Sequence, residues 1–68
     1  MNAEESKVVE ELAERIRSKA SKGLKGATSP QQMMTLDCQI GHSKELALSI
    51  FSLYGIEGAR VAYQSRGN

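Results

Sequence analysis

The first third of the chain carries an apolar stripe of helical period. Val8, Val9, Leu12, Ala13, Ile16 and Ala20 recur at three- and four-residue spacing. That spacing predicts a helix over 3–21 with one buried face. The charges on its polar faces are ordered: Glu4, Glu5, Glu10 and Glu11 come early, and Arg15, Arg17, Lys19 and Lys22 come late. This order suits the helix dipole, which favours acids at the start and bases at the end. Gly23, Gly26 and Thr28-Ser29-Pro30 then predict a flexible connection over 22–31.

Downstream the period changes. Met34, Leu36, Cys38 and Ile40 alternate with Thr35, Asp37 and Gln39, and Ala59, Val61 and Tyr63 alternate with Arg60, Ala62 and Gln64. Period-two alternation predicts two strands, over 33–40 and 59–64. Between them an apolar helix is expected over 44–54, with Ser43 as its N-cap. Gly55 is expected as its left-handed stop, with Ile56 folding back on Phe51. Residues 33–64 thus form a strand–helix–strand unit, and the tail 65–68 frays. One signal conflicts. Ser29-Pro30-Gln31-Gln32 also reads as a helix start, with a capping serine, a proline at the first position and a glutamine at the third. A helix there would align Met33, Leu36 and Ile40 on one face. The unbroken alternation favours the strand, although β-branched residues are few in it.

The expected fold class is therefore α+β in the order α-β-α-β, with helices on one face of a small sheet. Two strands make too small a sheet to stand alone. A second copy, related by a twofold axis, would complete the sheet or cover the surplus apolar helix surface. The alternative is an all-α chain with a helix-turn-helix-like C-terminal half: Leu46 to Tyr54 as first helix, Gly55 as turn, Ala59 to Arg66 as recognition helix. The stretch from Met34 to Tyr63 resembles in pattern the first half of a ferredoxin-like domain such as a small metal-binding chaperone. The paired cysteines of that family's loop are absent, since Gly41, His42 and Ser43 stand there.

Composition narrows the function classes. A chain of 68 residues is a single domain. A core of this size rarely supplies more than about 3–5 kcal/mol of stability. Cys38 is the only cysteine, which fits a reducing compartment and no disulfide scaffold. The acidic start does not resemble a signal peptide, and no apolar run is long enough for a membrane span, so the expected location is cytoplasmic. Cys38 and His42 are two soft-metal donors where a site needs three or four, so no metal or other cofactor is expected. His42, Ser43 and Asp37 suggest a catalytic set only by proximity in sequence, and no catalytic residue is assigned.

Two surfaces remain. Leu48, Phe51 and Ser52 on the 44–54 helix are the candidate partner or dimer surface. Arg15, Lys19, Lys22 and Lys25 are the candidate patch for an anionic partner. The expectation is a small non-enzymatic regulator or inhibitor that binds another protein by occluding its surface, and that pairs with itself as a homodimer. Such compact regulators are frequent among phage- and plasmid-encoded proteins. The alternative is a nucleic-acid-binding protein that uses the basic segment 15–25 on phosphates.

Overall fold

The computed structural model describes residues 1–64. It is built from three helices: α1 (Ala3–Lys25), α2 (Pro30–Gly41) and α3 (Ser43–Val61). There is no strand among the described residues. The α+β expectation is thereby corrected to an all-α fold, and the likeness to a ferredoxin-like half-domain goes with it. The all-α alternative fits.

Helix α1 is the hub. Its start is closed by a reciprocal cap: Glu5 N–H donates to Asn2 Oδ1 (2.8 Å), and Asn2 N–H donates to Glu5 Oε1 (3.0 Å). Val8, Val9, Leu12, Ala13, Ile16 and Ala20 are buried, so the stripe read from the sequence is the buried face. The helix runs through Gly23, beyond the expected end at 21, and stops at Gly26. The methyl groups of Leu36 explain why glycine suits position 23. A Cβ there would lie 3.4 Å from both of them, so α2 approaches closely at this point.

Helix α2 replaces the expected strand at 33–40. Its start is the one that Ser29-Pro30-Gln31-Gln32 announces. Ser29 Oγ accepts from Gln32 N–H (3.1 Å), Pro30 fills the first turn, and Gln32 Oε1 accepts from Thr28 N–H (3.2 Å). Local chemistry decided the element. Met, Gln and Leu are good helix formers, only Thr35 and Ile40 are β-branched, and no second strand is present to pair with. No side chain of α2 is fully buried. Leu36, Gln39 and Ile40 are half-buried, and Met33 and Met34 are exposed.

His42 alone separates α2 from α3, and it supplies no side-chain cap. Ser43, expected as the N-cap, is instead the first residue of α3 and is buried; its hydroxyl accepts from Arg17 Nη1 (2.8 Å). Helix α3 bends at Gly55, whose φ of 74° and ψ of −172° lie in a region open essentially to glycine alone. This is not the expected left-handed stop. The chain resumes helix at 56 and continues to Val61, where a strand over 59–64 was expected. The recognition helix of the alternative, Ala59 to Arg66, extends beyond the described residues, as does the tail 65–68.

The bend lets both halves of α3 reach α1. Ala47 before it and Ala59 after it are both fully buried in the cluster of Val8, Val9, Leu12, Ala13 and Ile16. Ile50, Phe51, Ile56 and Ala62 pack at its edge. Ion pairs stitch the same seam: Lys44 Nζ to Glu10 Oε2 (2.7 Å) and Arg60 Nη2 to Glu4 Oε2 (2.6 Å). The Lys44 ammonium, by hydrogen bond and by charge, holds the Glu10 carboxyl below its ordinary range. Helices α2 and α3 both pack on α1 but touch each other only sparsely.

Candidate binding surface

The fold separates the surfaces suggested by sequence. On α3, Leu48 and Ser52 are exposed, while Phe51 is half-buried against the core. Leu48 thus presents its side chain to solvent, and most of Phe51 serves the fold.

The basic residues fare differently from one another. Arg15 is spent on the end of α3. Its Nη2 donates to Ala59 O (2.9 Å) and Arg60 O (3.1 Å), and its Nε donates to Ala62 O (3.2 Å). These carbonyls sit at the helix end, where intrahelical partners run out. Lys19 lies over the Tyr63 ring, 5.6 Å from its centroid. Tyr63 itself has φ 60°, uncommon outside glycine. It occupies the third position of a tight turn closed by Gln64 N–H to Val61 O (3.2 Å), where glycine is the usual residue. Arg15 and Lys19 of α1 therefore both contact the end of α3 and the turn after it. Lys22 and Lys25 are exposed on the last turn of α1, one helix turn beyond Lys19.

The small chemical sets do not assemble as catalytic or ligand groups. The Ser43 hydroxyl is bonded to Arg17, while the exposed His42 faces Glu45, with Nδ1 3.8 Å from Oε2. Asp37 is exposed on α2. Among the described residues no three His, Cys, Asp or Glu side chains are grouped to hold a metal ion. Among the described residues no helix is long and apolar enough to cross a membrane.

What the fold adds is a groove. Between α2 and α3 lies an open trough of about 470 Å³, lined by Met34, Thr35, Cys38, Gln39, His42 and Leu46. No residue of α1 contributes to it. Met34 is 73% exposed and Leu53, two turns beyond Leu46, is 75% exposed. Leu46 and Leu48 lie on opposite sides of α3, about 160° apart. The groove is thus a different surface from that of Leu48 and Ser52. From α3 only Leu46 lines it, and its other wall, Met34 to Gln39, exists only once 33–40 is helical.

No family model matches the chain, and no curated protein and no solved structure matches it.

Proposed function

We propose that this chain is a small non-enzymatic protein-binding module, a cytoplasmic regulator or inhibitor that works by covering part of a partner's surface. The observation that carries this reading is the apolar surface left open on α2 and α3: Met33, Met34, Leu46, Leu48, Leu53 and Tyr54 are all exposed. They fall on two surfaces, the Met34–Leu46 groove and the Leu48 side of α3, and exposed apolar surface of this kind is what a protein partner would cover. Methionine and tyrosine are also favoured in protein interfaces. Binding of nucleic acid draws less support, because Arg15 and Lys19, two of the four candidate cations, are engaged within the fold.

The test is affinity capture from a lysate of the source cells, with and without nuclease. Capture of a defined protein is expected to survive nuclease and to weaken only modestly in salt, because apolar contacts carry the affinity. Leu48→Glu or Leu53→Glu should reduce that capture by about tenfold or more, equivalent to losing roughly 1.4 kcal/mol of binding. The opposing result is material lost on nuclease treatment and on Lys22→Glu with Lys25→Glu. Arg15 and Lys19 are unsuitable for that comparison, since changing them also disturbs the end of α3.

A further inference from the structure

The two ends of α3 meet α1 at nearly the same place. Before the bend, the Ser43 hydroxyl accepts from Arg17; after it, the Ala62 carbonyl accepts from Arg15. Arg15 and Arg17 are about 3 Å apart along the axis of α1, whereas Ser43 and Ala62 would stand about 28 Å apart on a straight helix. That is more than the two arginine side chains span. One chain can keep both sets of contacts only while α3 is bent at Gly55. A chain whose α3 ran straight would give up one set.

Two glycines select the bend. Gly55 has φ 74° and ψ −172°, and nothing lies within 4 Å of a Cβ built there. The position therefore demands glycine for its dihedral angles and not for space. Gly58 is required by the bend itself. A Cβ there collides with the Tyr54 Cβ, although residues four apart on a straight helix keep their Cβ atoms about 5–6 Å apart. In a straight helix both glycines would be unfavourable relative to alanine. The preferences of the pair all run the same way, towards the bent form.

Beyond the bend lies a unit that can move as a whole. Ala59 is fully buried, and Ile56 and Ala62 pack at the edge of the core. Among the described residues its long-range polar contacts all run to α1: Arg60 to Glu4, and the carbonyls of Ala59, Arg60 and Ala62 to Arg15. We infer that α3 is a two-state element with Gly55 as its switch. Bent, it closes residues 56–62 on the chain's own α1; straight, it hands them to the α1 of a second copy. Such an exchange restores each of these contacts, because the second copy brings the same segment to the same face. Gly55 and Gly58 hold the natural chain in the closed form. The inference is independent of the proposed partner surface, since neither the groove nor Leu48 takes part in the exchange.

The experiment asks whether the contact between residues 4 and 60 lies within one chain or between two. The full chain carries Glu4→Cys and Arg60→Cys, with Cys38→Ser to remove the one native thiol. A short bis-maleimide then links positions 4 and 60 at micromolar concentration, and a denaturing gel reads the product. With Gly55 in place, the link should close within one chain. With Gly55→Ala, most links should join two chains and give twice the chain mass. Alanine is strained at the bend and favoured in the straight helix, so the balance between the two forms should move by about a hundredfold. Adding Gly58→Ala to Gly55→Ala should move it further in the same direction. A Gly55→Ala chain whose link still closes within one chain overturns the inference. So does one that forms no joined pair at any concentration, folded or unfolded, and so does a chain that joins in pairs with Gly55 in place.

Discussion

Replacing Arg15 by methionine should destabilise the fold by about 2–3 kcal/mol, the range for losing charge-assisted hydrogen bonds to a helix end. Three carbonyls of the α3 terminus, those of Ala59, Arg60 and Ala62, accept from this one guanidinium. Ala59 is fully buried, so its carbonyl has little access to replacement water. Methionine keeps the length and apolar stem of the side chain, so the loss isolates the fork. Lysine should rescue little, since a single ammonium cannot span the three acceptors as the planar fork does. Urea denaturation of Arg15→Met and Arg15→Lys checks this. Two variants as stable as the wild type would show that the contacts contribute nothing net. Against a ceiling of about 3–5 kcal/mol for a domain of this size, the expected loss removes a large part of the stability.

The second large effect is expected at Gly58. An alanine within a helix ordinarily stabilises relative to glycine by roughly 0.8–1 kcal/mol. Here the sign should reverse. The bend at Gly55 brings Tyr54 over position 58, and a Cβ on Gly58 would collide with the Tyr54 Cβ. Both colliding atoms are fixed to backbone, so no rotamer change relieves them. Gly58→Ala should cost about 1–3 kcal/mol, in the range for overpacking. Gly41→Ala is the control, because nothing lies within 4 Å of a Cβ there. Thermal melts should show Gly58→Ala falling while Gly41→Ala holds or rises. If Gly58→Ala were to melt at or above the wild type, the bend drawn here at Gly55 would be wrong.

These two residues mark the limit of what the sequence disclosed. The stripe of α1 was fully legible, because a helix of three- and four-residue period that docks by one face needs no knowledge of its neighbours. The start of α2 was legible too, in Ser29, Pro30 and Gln32, yet the alternation through Met34, Leu36, Cys38 and Ile40 outweighed it. Short apolar runs satisfy both periods, and the deciding fact, the lack of a strand to pair with, is not local. The same ambiguity misled the reading of Ala59, Val61 and Tyr63. Ala59 is buried as the small residue of a helix, and Arg60 points to Glu4. Gly55 was recognised as a break but not as a bend, because its ψ decides whether the chain leaves or resumes the helix.

Arg15 was grouped with Lys19, Lys22 and Lys25 because all four are cations in one segment. Only the return of α3 across α1 gives Arg15 its three acceptors and Lys19 its ring. Leu48 was legible as a surface leucine of α3. The groove was not, because one of its walls was assigned to a sheet.

The central claim is that α1 forms the core with α3, while α2 lies on the outside with its apolar residues held ready for a partner. Amide hydrogen exchange in dilute solution tests it most directly. Residues 4–20 and the buried turns of α3 should be protected to the level of global unfolding. Residues 30–41 should show helical protection that is lower by at least one order of magnitude, because few buried contacts hold them. Protection of 30–41 equal to that of α1 in the dilute chain would contradict an open α2–α3 face.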